Sequence, residues 1–417
     1  MTTDARAEMS HRDRLLRSGA ALFYEAGFHG TAVDAVLADA GVPKGSFYHH
    51  FGSKEAFGFA ALDRYDEFQR GILTRWAERD DLTVPERLRA YHAELAERFV
   101  SSGWNRSCLV GKLSNELASS SESYRVRLAQ SLAEWRESLR ELLAAGQARD
   151  EVRQDMPAEE LADAVLAMVQ GTFVAALALR DQSFLDASTR EIERILLPKN
   201  ASREFAYDST PLSPPSEPEP PVASRRRTHR DRLLDKGIEL LFERGYHGMT
   251  VDALLAAAQV PKGSFYHHFG SKEAFTLAVL DNYDDFHRKT LAAWVSGHDE
   301  LPTALRLRGY YDELVAIFVA SGFRRSDLAG KLATEVATTS EPLRSTLATL
   351  IRQWRSQLEV VLAEGRLRGD VRADVSVEDQ SAALLSLING AFVVSSSTRD
   401  TVALDSVADA IVAVVTP

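Results

Sequence analysis

The chain runs to 417 residues, 45% of them hydrophobic and 26% charged, with a formal net charge of −11. That is ample chain for two folding units, and since no secretory signal opens it, a soluble cytoplasmic protein is expected. Cys108 is its only cysteine, which excludes an intramolecular disulfide.

Helical periodicity runs throughout, and strand signals are almost absent. Leu15, Leu16, Leu22 and Phe23 share one face of a first helix, opened by Ser10 with Asp13 three residues on and closed near Gly27. Thr31 is the expected N-cap of a short second helix whose Val33, Val36 and Leu37 face inward. Gly41-Val42-Pro43 then forces a turn, because proline cannot continue a helix. The next helix starts near Lys44 and is short, since Gly52 breaks it and Ser53 caps its successor. Helix, tight turn, short helix is a helix-turn-helix. Long amphipathic helices are expected over roughly 54–77, 86–101, 108–119, 122–148, 158–180 and 185–197. The most apolar run, residues 161–179, holds Asp163 and Gln170 and reads as a buried interface helix, not a membrane span. Residues 198–224, with Ser, Glu and six prolines between 211 and 221, form a linker. Such a linker reaches roughly 80 Å as polyproline and roughly 30 Å as a loose coil.

Beyond the linker the chain begins again. The string VPKGSFYHHFGSKEAF occupies residues 42–57 and recurs unchanged at 260–275, an offset of 218. Past Trp76 and Trp294 the offset is 219, so that Gly111-Lys112-Leu113 matches Gly330-Lys331-Leu332, Trp135 matches Trp354, and Gly171 and Phe173 match Gly390 and Phe392. A repeat of this length is a complete folding unit in tandem. The expected domains are 1–57 and 225–275 for two helix-turn-helix readers, 58–197 and 276–417 for the helical domains that follow them, and 198–224 between them.

The repeated string suits a DNA duplex. Gly45 and Ser46 let a helix N-terminus approach base edges. Lys44, Tyr48, His49 and Lys54 are donors with the reach for phosphates, while Phe47, Phe51 and Phe57 hold the helix on its scaffold. His49 and His50 point about 100° apart on a helix, which disfavours a metal pair. The run GVPKGSFYHHFGSKEAF after a capped helix resembles the TetR/AcrR family of bacterial transcriptional repressors, and the resemblance covers both halves. It implies an all-α fold of two units, each a helix-turn-helix domain followed by a helical ligand and dimerisation domain. The units would pair as a pseudo-dimer, the last two helices of each half making a four-helix bundle. It also implies DNA contacts at Thr31, Lys44, Gly45, Ser46, Tyr48, His49 and Lys54, matched by Thr250, Lys262, Gly263, Ser264, Tyr266, His267 and Lys272. Thr31-Ala32 aligns with Met249-Thr250, so the hydroxyl moves by one position between halves. The implied partners are a double-stranded DNA operator and a small-molecule or reactive-species inducer, with a monomeric pseudo-dimer as the species and no membrane, cofactor or metal.

Residues 1–57 carry six basic against seven acidic side chains, and residues 225–275 carry nine against six. Arg225, Arg226 and Arg227 cluster ahead of the second reader, suited to phosphates or a minor groove. Enzyme signatures are missing: residues 103–112 have the wrong spacing for a phosphate loop, and no nucleophile elbow, zinc spacing or dinucleotide fingerprint occurs. Cys108 falls where a helix begins, so the helix dipole, Arg106 and Lys112 are expected to stabilise its thiolate. The stretch SCLVGKLSNELASSSESYR resembles a branch of the family that represses N-ethylmaleimide reductase, which implies that Cys108 senses reactive species; its second-half match is Asp327. Tyr91, Trp104, Trp135, Met168 and Phe173 are candidate walls of a ligand cavity. The sequence therefore reads as a repressor released from a near-palindromic operator by an oxidant, electrophile or small organic inducer. The alternatives are a regulator with a non-covalent ligand and a structural Cys108, or a ligand-independent DNA-architectural protein.

Overall fold

In the computed structural model, residues 9–198 and 228–417 are described; the linker from residue 199 and the Arg225, Arg226 and Arg227 cluster lie outside them. All regular structure among the described residues is helical. The first half comprises α1 (His11–Gly30), α2 (Val33–Ala40), α3 (Lys44–Phe51), α4 (Lys54–Ala77), α5 (Val84–Ser101), α6 (Leu109–Leu117), α7 (Glu122–Gln147), α8 (Ala158–Leu179) and α9 (Gln182–Leu196). The second repeats it as α10 (His229–Gly248), α11 (Val251–Ala258), α12 (Lys262–Phe269), α13 (Lys272–Gly297), α14 (Thr303–Ala320), α15 (Leu328–Val336), α16 (Glu341–Arg368), α17 (Val377–Thr398) and α18 (Val402–Val415).

Hydroxyl caps set many of these boundaries. Ser10 accepts from the Asp13 N–H at 3.1 Å, Ser53 from Ala56 at 3.1 Å, and Thr228 from Asp231 at 3.1 Å, each satisfying a donor that the helix itself leaves free. Thr31 does not follow the rule expected of it. Ala32 takes the N-cap position of α2, and the buried Thr31 hydroxyl donates backward to the carbonyls of Gly27 (2.6 Å) and Leu22 (3.1 Å). In the second half Met249 fills the place of Thr31, and Thr250 caps α11 through the Ala253 N–H at 3.1 Å.

The two halves meet through α8, α9, α17 and α18, the four-helix bundle expected from the resemblance. Helix α8, the apolar run of the sequence, is buried along almost its whole length. It crosses α17 backbone to backbone at Gly171 and Gly390: a Cβ at Gly171 would overlap the Ser386 carbonyl, and one at Gly390 the Ala167 carbonyl. Thr172 donates to Ser386 at 3.0 Å beside this crossing, and Asp163 is held by Arg136 of its own half (2.8 Å) and Ser406 of the other (2.9 Å). Because backbone cannot step aside as a side chain does, Gly171→Val should destabilise the protein by about 1–3 kcal/mol or more. Gly45→Ala, where no atom lies within 4 Å of an added Cβ, should leave the melting temperature essentially unchanged; thermal unfolding of both variants checks the contrast.

Candidate nucleic-acid interface and regulatory site

Each reader is a small aromatic core with one helix laid across it. Phe47 is fully buried, with its ring 5.1 Å from Phe57, and Phe51 closes the cluster at 4.9 Å from Phe57. Phe265, Phe269 and Phe275 repeat this core. Burying that face turns Lys44, Gly45, Tyr48 and His49 outward on α3, and Lys262, Gly263, Tyr266 and His267 outward on α12. Tyr48 and Tyr266 are each 49% exposed, a large exposure for an aromatic ring in a folded protein. Lys44 rests on Asp34 at 3.1 Å and Lys262 on Asp252 at 3.3 Å, both pairs at the surface. Ser46 and Ser264 are half-buried, within 3.0 and 2.9 Å of the Nδ1 atoms of His11 and His229.

Two of the candidate contacts sit further back. Lys54 is half-buried, with its ammonium 4.4 Å from the centre of the Phe28 ring, and Lys272 lies 4.5 Å from that of Tyr246. Burial pulls both lysines below their usual range. Thr31 is corrected as a phosphate contact, since its hydroxyl is buried and already spent on two carbonyls; Thr250 is exposed.

A buried charge cluster ties the readers to the regulatory domains. Gly27 turns α1 with a φ of 71°, which glycine adopts without steric cost, and this frees the N–H groups of Phe28 and His29. The carboxylate of Glu116, near the end of α6, accepts both, at 2.8 and 2.6 Å. Glu335 on α15 accepts from His247 at 3.2 Å, just beyond Gly245. Lys112 and Lys331 are buried one turn before these glutamates, and each is attracted by the glutamates of both halves. Burial lowers Lys112 to about 8 and raises Glu335. Lys331 also donates to the Asn115 carbonyl across the interface. Ser119 donates to the Glu243 carbonyl at 3.0 Å, and its match Thr338 donates to that of Glu25. The first helix of each reader is therefore held by both halves. Sequence reasoning missed Glu116 and Glu335 and assigned Lys112 to Cys108 instead, although Gly-Lys-Leu followed by Glu three residues later stands in both copies.

Cys108 caps the opposite end of α6. Its sulfur accepts from Tyr65 Oη at 3.2 Å and from the Gly111 N–H at 3.4 Å, and Gln69 donates to Tyr65 at 2.6 Å. The thiol pKa is raised, not lowered as the sequence suggested, because burial outweighs the donors around the sulfur. The exposed Arg106 does not offset this, and Lys112 is drawn to the glutamates instead. In the second half the same donors surround a carboxylate: Asp327 accepts from Tyr283 at 3.2 Å, Ala329 at 2.9 Å and Gly330 at 2.8 Å.

The candidate cavity walls separate. Phe173 lines a broad groove of about 1180 Å³ that runs over Tyr65, Gln69 and Cys108, and Trp135 lines a small cleft on the other side of Gln69. Tyr91, Trp104 and Met168 line neither: Tyr91 packs edge-on against Trp135, Trp104 edge-on against Phe99, and Met168 is buried within α8. Their arrangement opens in the other copy, where Tyr310, Trp354 and Phe392 join Tyr283, His287 and Asp327 around a cavity of about 410 Å³. Burial holds His287 neutral there, at about 3.

Two outward-facing reading helices, each clamped to a helical regulatory domain, define a helix-turn-helix regulator. The description "Bacterial regulatory proteins, tetR family" matches residues 15–61 and 233–279, and "Tetracyclin repressor-like, C-terminal domain" matches 84–192 and 304–411. The chain belongs to the TetR family and contains its unit twice. It is 34% identical over 198 residues to the HTH-type transcriptional repressor DhaR of Mycobacterium sp. (strain GP1), covering 46% of this chain and 96% of that protein. It is 37% identical over 138 residues to the HTH-type transcriptional repressor NemR of Escherichia coli (strain K12), covering 33% and 68%. The crystal structure of E. coli NemR in its reduced form aligns at 30% identity over 45% of this chain and 98% of that one, with a TM-score of 0.42.

Proposed function

We propose that the chain is a transcriptional repressor whose two readers, within one molecule, grip inverted half-sites of a single operator, and that chemical modification of Cys108 releases it. The observation that carries this reading is the identical outward set on α3 and α12: a lysine, a glycine and two hydrogen-bonding rings on helices whose other face is buried. Nothing in the fold obstructs a side chain at Gly45 or Gly263, so close approach by a base edge or phosphate accounts for these glycines better than internal packing does. Release would run along α6, from Cys108 at its start to Glu116, which holds Phe28 and His29 of the reader.

DNA selected by the protein should contain inverted, matching half-sites about 34–36 Å apart; unrelated halves would overturn the reading. Lys44→Ala and Lys262→Ala should each weaken binding and remove about one phosphate's worth of its salt dependence. Lys44→Ala should cost more in a salt titration, because Arg225, Arg226 and Arg227 give the second reader other cations. A second reading, release by a non-covalent apolar ligand, is favoured by the cavity over Tyr283, Tyr310 and Trp354. It requires Cys108→Ser to respond to the inducer as the parent does.

A further inference from the structure

The duplication supplies an internal comparison at the mouth of the Cys108 groove. Arg17, Arg64, Arg98 and Arg106 line it in the first half, facing Glu94 and Glu97. The matching positions in the second half are Asp235, Asn282, Ile317 and Arg325, so three of the four cations are confined to one copy. Arg98 is engaged by Glu94 at 2.7 Å, whereas neither Arg64 nor Arg106 has a carboxylate partner among the described residues. Surface arginines alone make no site, but this groove also has a polar floor. Ser107 and Gln69 are 7% and 8% exposed, and the Ser107 hydroxyl and the Gln69 carbonyl oxygen are buried without a hydrogen-bond partner. A buried polar atom left unpaired costs free energy that a bound molecule can recover. Tyr24, Phe68 and Phe173 add apolar wall between the arginines and the floor.

We propose that this groove binds a small, mostly apolar organic carboxylate that also carries a hydroxyl. The carboxylate is seated by Arg64 and Arg106, the hydroxyl is accepted by Gln69, and Ser107 donates to whichever ligand oxygen lies over it. Planar guanidinium groups match a carboxylate in both charge and geometry, which a neutral ligand cannot exploit. In the second-half cavity Asn282 stands in the place of Arg64, and Arg325, the match of Arg106, lies 3.8 Å from Glu239, so the paired seat is absent there. The inference deepens the proposed sensing role by naming what enters beside Cys108, but binding can be read without it.

Calorimetry with 4-hydroxybenzoate and 4-hydroxybenzamide tests the proposal, because the two probes share a ring and a hydroxyl and differ in charge. The parent protein should bind the carboxylate about tenfold more tightly than the amide, and an Arg64→Gln, Arg106→Gln double variant should lose that preference. Both arginines are exposed, and thermal unfolding establishes that the double variant is folded. Equal affinity for the two probes, an unaffected double variant, or no binding of either probe overturns the proposal. Carboxylate binding that leaves operator affinity unchanged would keep this site and count only against its role in release.

Discussion

Glu116→Ala should lower operator affinity by about tenfold or more, although Glu116 lies at the far side of the first reader's scaffold and touches no surface that faces DNA. Its carboxylate accepts the N–H groups of Phe28 and His29, and hydrogen bonds to a charged group are worth about 1.5–3 kcal/mol each. Alanine leaves both donors without their acceptor and leaves the buried Lys112 with one fewer compensating charge. The first reader then loses the clamp that fixes its angle, while its aromatic core stays intact. Because Lys112 and Lys331 are shared between the glutamates of both halves, the second reader should loosen as well. Anisotropy titration with operator DNA, set beside thermal unfolding, separates placement from stability. Glu116→Gln, which keeps an acceptor, should fall between alanine and the parent. Unchanged affinity in the alanine variant would make Glu116 a core ion with no part in reading.

N-ethylmaleimide should lower the operator affinity of the parent by about 5–150-fold, the range of ordinary allosteric coupling, and leave Cys108→Ser and Cys108→Asp unaffected. The thiolate adds across the maleimide double bond, its sulfur bonding one carbon while a proton from solvent reaches the other. The product hangs a ring from the sulfur that now caps α6, so the ring enters the groove over Tyr65 and Gln69 and displaces the donors that hold the start of α6. Cys108→Asp should fold and bind DNA, because Asp327 already occupies the matching place among the same donors. Burial raises the thiol above its ordinary value of 9.0, so thiolate accumulates only at higher pH and the modification rate should still be climbing above that value, where an unperturbed thiol levels off. A gel-shift series over the three proteins, with labelling rates followed by mass, checks both statements. Release of the serine variant by the reagent would assign Cys108 a structural role.

Much of the architecture was legible because local chemistry repeats. Ser10, Ser53 and Thr228 cap as residue type and spacing indicate, and the unchanged string at 42–57 and 260–275 marks both readers. Thr31 shows the limit of such reading: a threonine before a helix either accepts from the coming turn or donates to the preceding one, and only the kink at Gly27 decides. Cys108 was placed at a helix start, but the sign of its pKa shift depends on burial by α4 and α8, which no local pattern states. Aromatic residue type does not tell wall from core: Tyr91 and Trp135 pack on one another while Tyr310 and Trp354 frame open space. Glu116 was visible as part of a repeated motif, but its partners stand 87 and 88 residues away in sequence.

That one chain supplies both readers is tested most directly by the mass of the protein–operator complex. Sedimentation equilibrium on a duplex with two inverted half-sites should give one 46.1 kDa chain per duplex, with both half-sites required for tight binding. The reach expected of the linker sequence would permit this, and α8 and α17 pack the two halves against each other at Gly171 and Gly390. Two chains per duplex, or full affinity for a single half-site, would contradict it.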